Sequence, residues 1–224
     1  MVIGDSLASL LAQRLVPEAS RYGVEVVDRA VWGCGIVRGG PYRYVGQVDD
    51  QMPKCDQWPE RWAADVAEIH PDVVLVLVGR WEVMDRVHDG RWMHLGDPDY
   101  DAYLVSELEA ALPVLTAGGA RVALCTAPYY HRDTPKPPNG AWPEDDPARV
   151  NRENQLFRGF AARHPEAVSI VDLGGRLSPN GRFTRVVDGV TVRAQDGVHL
   201  AADIGRWSAP WLLPDIRGAA PPEP

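Results

Sequence analysis

Val73-Val74-Leu75-Val76-Leu77-Val78 is an unbroken run of six apolar residues, closed by Gly79. A strand with one solvated face alternates apolar and polar residues; a run like this buries both faces. Both faces are covered when helices pack on each side of a parallel sheet, so the chain is constrained to an α/β architecture. The rest of the pattern agrees. Met1-Val2-Ile3 before Gly4 reads as the end of a second buried strand, and Val24–Val27, Arg121–Thr126 and Val168–Asp172 read as three more. Helical spacing covers Ser6 to about Tyr22, Trp58–His70, Asp99–Ala117, Ala148–Arg163 and Leu200–Leu213. Trp58, Trp62, Val66 and Ile69 share one helix face and read as core. The expectation is a doubly wound parallel sheet of five strands.

Ligands on such sheets bind at the carboxyl ends of the strands. Ser6, the Gly33 loop, Gly79-Arg80-Trp81-Glu82 and the loop from Pro128 all follow strands, so they should share one edge. Two connections are long enough to suggest function, Asp28–Pro53 and Pro128–Pro147. Leu173–Gln195 reads as irregular, with a hairpin at Val187-Asp188-Gly189-Val190.

Ser6 stands where a strand gives way to a helix. Backbone N–H groups at a helix start favour a developing anion, which suits a nucleophile. An N-cap role is the plainer reading of a serine there. At the other end of the chain, Asp196-Gly197-Val198-His199 puts a carboxylate three residues before a histidine. A serine nucleophile needs a base, and the base needs an orienting acid.

Gly4-Asp5-Ser6-Leu7 near the start and Asp196-Gly197-Val198-His199 near the end together resemble the SGNH (GDSL-type) hydrolase superfamily, over about the whole chain. The resemblance implies a flavodoxin-like three-layer α/β/α fold and ester hydrolysis or acyl transfer. It assigns Ser6 as nucleophile, His199 as base and Asp196 as its orienting acid. It also implies an oxyanion hole from the Ser6 N–H and a glycine N–H after the second strand, for which Gly33 and Gly35 both qualify. The family's third donor is an Asn in Gly-x-Asn-Asp after the third strand; here Trp81 falls at that place, leaving Arg80 or the Trp81 indole as substitutes. Arg80 also reads as a solvated side chain or an ion-pair partner of Glu82 or Asp85. Similar departures mark the SGNH domains fused behind bacterial membrane O-acyltransferases. Those domains tend to carry Gly-Cys-Gly and Cys-x-x-Trp, matched by Gly33-Cys34-Gly35 and Cys55-Asp56-Gln57-Trp58. The implied partner is a small acyl ester or acylated carbohydrate, with a membrane acyltransferase domain upstream in a longer chain. Trp32, Tyr42, Tyr44, Trp92 and Tyr130 are then candidate sugar-stacking rings, or simply loop packing. A lipase or thioesterase for longer chains and a non-catalytic carbohydrate-binding module are the competing readings.

Composition sets outer limits. A chain of 224 residues fits one α/β domain; residues 1–218 read as that domain and 219–224 as a disordered tail. A net charge of −8 disfavours nucleic acid or an anionic membrane surface as partner. No apolar run reaches the ~18 residues of a membrane span, and no signal peptide is visible. Only three residues precede Gly4, so the start reads as trimmed or as cut from a longer chain. Cys125 lies in an apolar run and reads as a core thiol. Cys34 and Cys55 read either as free thiols or as a disulfide between loops, which would favour an extracytoplasmic site. With no Cys-x-x-Cys and no nearby His pair they make no zinc site, and no cofactor is implied.

Overall fold

The computed structural model describes residues 1–219. In chain order the elements are β1 (Val2–Gly4), α1 (Ser6–Ala19), β2 (Tyr42–Tyr44), β3 (Gln47–Asp49), α2 (Pro53–Asp56), α3 (Trp58–Ile69), β4 (Val73–Leu77), β5 (Asp85–His88), β6 (Arg91–Met93), α4 (Pro98–Leu115), β7 (Arg121–Cys125), α5 (Pro147–Arg163), β8 (Val168–Val171), α6 (Leu173–Leu177), β9 (Val186–Val187), β10 (Val190–Thr191) and α7 (Ile204–Ala219).

The central sheet is parallel, in the order β1-β4-β7-β8. The six-residue apolar run supplies β4, and every residue of β4 is buried. Helices α1 and α7 pack together over one face, and α3, α4 and α5 follow one another over the other. Trp58, Trp62 and Val66 are buried, as their helical spacing predicts, and Ile69 packs against the core at partial exposure.

The sheet has four regular strands, not the five expected. Val24–Val27 forms no strand. Instead the chain runs beside β1 slightly later, where Val2 donates to the Val27 carbonyl, and the Arg29 and Val31 N–H groups donate to Val2 and Gly4 carbonyls. Only the Val2–Asp28 pair registers as a parallel bridge. Asp28 Oδ1 accepts from the Ala30 N–H at 3.0 Å, on the side of the segment turned away from β1. β1 itself offers three residues to pair with.

A second, antiparallel sheet, β3-β2-β5-β6, lies within stretches the sequence presents as loops. Its hairpins turn at Val45-Gly46 and Asp89-Gly90, all four at positive φ, as tight type I′ connections need. The expected hairpin near Val187 is present as β9–β10, turning at Asp188-Gly189 with both at positive φ. The last helix begins at Ile204 rather than Leu200, because Leu200 pairs back on Arg193 across a bridge. Ala219 closes that helix; the remainder of the expected tail, 220–224, lies outside the described residues. No described helix is long and apolar enough to cross a membrane.

Cys34 and Cys55 form a disulfide across 21 residues, and Cys125 is buried and free. The bridge ties the loop after β1's neighbour to the start of α2. In the chain-entropy account a loop of this size contributes about 3 kcal/mol. Reduction should therefore lower the melting temperature of the wild type and leave a Cys34→Ser/Cys55→Ser double variant unmoved. Equal melting of wild type with and without reductant contradicts this.

Candidate active site

Gly4 ends β1 at φ 134°, and a Cβ there would stand 1.9 Å from the Leu77 carbonyl oxygen. Lack of a side chain lets β1 seat against β4 and turn directly into α1. Asp5 then caps that helix, its Oδ1 accepting from the Leu7 N–H at 2.8 Å. Ser6 is the first helical residue. The cap is therefore Asp5, and the Ser6 hydroxyl is left for another partner.

That partner is His199. Ser6 Oγ and His199 Nε2 are 2.9 Å apart, across 193 residues of sequence. His199 Nδ1 lies 2.5 Å from Asp196 Oδ2. Asp196 Oδ1 accepts from the Val198 and His199 N–H groups at 2.9 and 3.0 Å. Partial burial works against the Asp196 anion, but those N–H groups and the His199 ring outweigh it and hold the carboxyl at about 2. Asp196 is thus ionised at neutral pH and accepts from Nδ1–H, which leaves Nε2 free to accept from the serine. The Trp32 ring stacks on His199, with centroids 5.6 Å apart and planes 26° apart, although Trp32 is half exposed.

The loop carrying Asp196 and His199 is closed on itself and clamped from beneath. Ala194 N donates to His199 O, and Ala201 N to Val192 O. Arg193, 1% exposed, donates from Nη2 to Val198 O at 2.7 Å and from Nη1 to Tyr129 O at 2.8 Å. Its guanidinium also faces the Tyr130 and Phe183 rings. Burial lowers its pKa to about 10, so it keeps its charge at neutral pH. Gly197, at φ 73°, lets His131 approach: a Cβ would stand 1.5 Å from the His131 carbonyl, and His131 N donates to Gly197 O.

The opposite side is built by Glu82. Its Oε1 accepts from Ile36 N at 2.6 Å and its Oε2 from Gly79 N at 2.8 Å, which ties the Gly33 loop to the end of β4. Gly35 is buried against it, since a Cβ would lie 2.0 Å from Oε1; Gly33 is half-buried at φ 82° beside Trp81. Arg80 pairs with neither Glu82 nor Asp85. It is buried, with Nη1 on Asp145 Oδ1 at 2.6 Å and on the Glu144 carbonyl at 2.9 Å. Asp85 is taken by Arg43 and Arg149. The Trp81 ring packs on Tyr42 and Tyr44, and its buried Nε1 has no hydrogen-bond partner among the described residues.

Below lies a layer of buried acids. Desolvation and nearby Glu82 raise Asp5 to about 7. Desolvation also raises Glu82, and it raises Glu153 well above the usual carboxylate range, with Glu82 and Asp5 adding to it. Neither oxygen of Glu153 has a hydrogen-bond partner among the described residues. Tyr130, read from the sequence as a stacking ring, is instead buried beside Arg80 and Arg193. Tyr42 is buried as well, and Trp92 is exposed under Arg43 on the second sheet.

Sequence reasoning missed Arg193, Glu82 and Asp145. Arg193 sits in a stretch with no period, and its partners are carbonyls, which leave no trace in sequence. Removing a charged donor from buried carbonyls costs about 1–3 kcal/mol. Arg193→Gln should therefore speed amide exchange at Val198 and His199 at least about ten-fold while α1 exchanges as before. Unchanged exchange in that loop means the clamp is dispensable.

A family model described as "SGNH domain (fused to AT3 domains)" matches residues 1–214. No curated protein sequence matches. Among solved structures, a lipase/acylhydrolase from Enterococcus faecalis superposes with a TM-score of 0.61 at 15% identity, covering 100% of this chain and 97% of that one. A GDSL-like lipase from Bacteroides thetaiotaomicron gives 0.61 at 14% identity, covering 97% and 87%. An acetyl xylan esterase from Geobacillus stearothermophilus gives 0.55 at 18% identity, covering 100% and 95%. These likenesses establish the fold, a parallel α/β sheet flanked by helices, and the match over 214 residues establishes the lineage: the chain belongs to the SGNH hydrolase family, in the group found fused to AT3 domains.

Proposed function

We propose that the chain is a serine esterase that hydrolyses or transfers a small O-acyl group, acetyl in the first instance, on a carbohydrate. The observation that carries this is the continuous hydrogen-bonded line from Asp196 through His199 to Ser6, ending at the first turn of α1.

In this reading Ser6 Oγ attacks the ester carbonyl as His199 Nε2 takes its proton. Asp196 stabilises the resulting imidazolium and fixes the ring. The oxyanion that forms faces the Ser6 N–H and a glycine N–H of the Gly33–Gly35 loop. Arg80 is not available as a side-chain donor, because its guanidinium is held by Asp145; the Trp81 indole N–H, buried and without a partner among the described residues, serves only if the ring turns toward the oxyanion. His199 then protonates the leaving alkoxide, which departs and leaves acyl-Ser6. Water completes hydrolysis; a sugar hydroxyl in its place completes transfer.

Two findings support a small acyl group on a sugar. The family's association with AT3 domains puts such modules beside acyl transfer, and one structural neighbour acts on acetyl xylan, as its name states. The Cys34–Cys55 disulfide suits an oxidising, extracytoplasmic setting. A binding-only module has no need of a serine, histidine and aspartate aligned at hydrogen-bond distance.

A chromogenic ester series from acetyl to octanoyl tests the reading. Acetyl should be turned over best, and Ser6→Ala or His199→Ala should cut kcat by about 10³-fold or more with the fold retained. Residual activity near wild type in Ser6→Ala removes the assignment. A preference for octanoyl transfers the protein to the lipases.

A further inference from the structure

We propose that a polar cleft at the carboxyl ends of β7 and β8 is a subsite for a neutral sugar residue of the substrate, remote from the ester at Ser6; this rests on the esterase reading above. The cleft has a volume of about 390 Å³, within the range of small-ligand sites. Its walls carry Tyr129, Asn151, Gln155, Arg158, Asp172 and Ser178.

The chemistry of these walls selects the ligand. Arg158 Nη2 and Asp172 Oδ1 pair at 2.6 Å, so the cleft carries no net charge and a charged ligand has to displace one partner. Ala127 supplies the one aliphatic side chain among the described lining residues, so beyond the Tyr129 ring there is little for an acyl tail to bury against. What remains is a dense set of amide, carboxylate, guanidinium and hydroxyl groups, donors and acceptors side by side. Closely spaced sugar hydroxyls, each both donor and acceptor, satisfy such a set.

The site is also held ready. Asn154 grips Ala127 from both sides, accepting from its N–H at 2.7 Å and donating to its carbonyl at 2.9 Å. Tyr129 OH donates to Asn151 Oδ1 at 2.6 Å. Asp172 takes a further bond from Thr126 Oγ1 at 3.0 Å. Gly175 leaves room beside it, since a Cβ there would stand 2.3 Å from Asp172 Oδ2. Ser178 is 4% exposed, and its Oγ has no partner among the described residues. A buried hydroxyl left unbonded costs about 1–3 kcal/mol, which a ligand hydroxyl relieves.

Position ties the cleft to the reaction. β7 and β8 lie two and three strands from β1, or about 10–14 Å at ~4.8 Å per step. A single acetylated sugar at Ser6 does not span that distance; an oligosaccharide does. The segment Ala127–His131 is a shared wall: Tyr129 lines the cleft while its carbonyl accepts from Arg193, and His131 N holds Gly197 of the Asp196–His199 loop.

The test uses Ser6→Ala protein, so that binding is read without turnover. Xylotetraose, cellotetraose and mannotetraose at millimolar concentration are titrated separately while the side-chain amide NMR signals of Asn151, Asn154 and Gln155 are followed. At least one should shift these signals saturably, and Gln155→Ala and Arg158→Ala should each weaken its Kd ten-fold or more; both residues are exposed on α5, so the fold survives. Overturning results are no shift with any of the three, shifts only with phosphate or octanoate, or an affinity unmoved by both substitutions. Cleavage of the chromogenic acetyl ester is measured on the wild type. A protein that binds a tetrasaccharide here and cleaves no ester supports the sugar site and refutes the esterase reading alone.

Discussion

The site depends on how closely β1 approaches β4. Because Gly4 has no side chain, the Leu77 carbonyl occupies the space where a Cβ would be. β1 can then stop after three residues and turn at once into α1, with Asp5 as cap and Ser6 at the first turn. Any side chain at Gly4 would push the two strands apart and tilt α1. That helix packs on α7, the helix that follows the Asp196–His199 loop. One backbone contact thus fixes both halves of a constellation whose members lie 193 residues apart.

The layer under the site is costly by ordinary standards. Asp5, Glu82 and Glu153 are buried together, and desolvation raises all three. Arg80 is matched by Asp145, whereas Arg193 donates to carbonyls, faces aromatic rings and makes no ion pair among the described residues. A buried charge without an ion partner is a cost to stability rather than a source of it. Four of these groups hold a segment in place: Asp5 the start of α1, Glu82 the Gly33 loop, Arg80 the Glu144–Asp145 rim, Arg193 the His199 loop. Stability given up in the core is exchanged for fixed positions of four separate loops at one sheet edge.

Much of this was legible in the sequence where a residue's role follows from local pattern. The β4 run, the helical periodicities, the Asp188-Gly189 turn and the two motifs carrying Ser6, Asp196 and His199 all express short-range rules. The unread parts depend on pairings between distant segments. β2, β3, β5 and β6 are three or four residues long, too short for a period to stand out from the surrounding loops. The fifth strand is reduced to one bridge beside the three-residue β1, a limit that the apolar pattern of Val24–Val27 does not carry. Arg80 reads from the sequence as an oxyanion donor, a solvated side chain or a partner of nearby Glu82 or Asp85, whereas its partner Asp145 lies 65 residues away. Arg193 answers carbonyl groups, which every residue has.

Labelling with a fluorophosphonate probe, followed by peptide mapping, tests the central claim most directly. The account predicts one modified serine, Ser6, in the wild type, and strongly slowed labelling once His199 is replaced by Ala, since the serine then has no base. Modification at a different serine, or labelling of Ser6 at the same rate without His199, would contradict it.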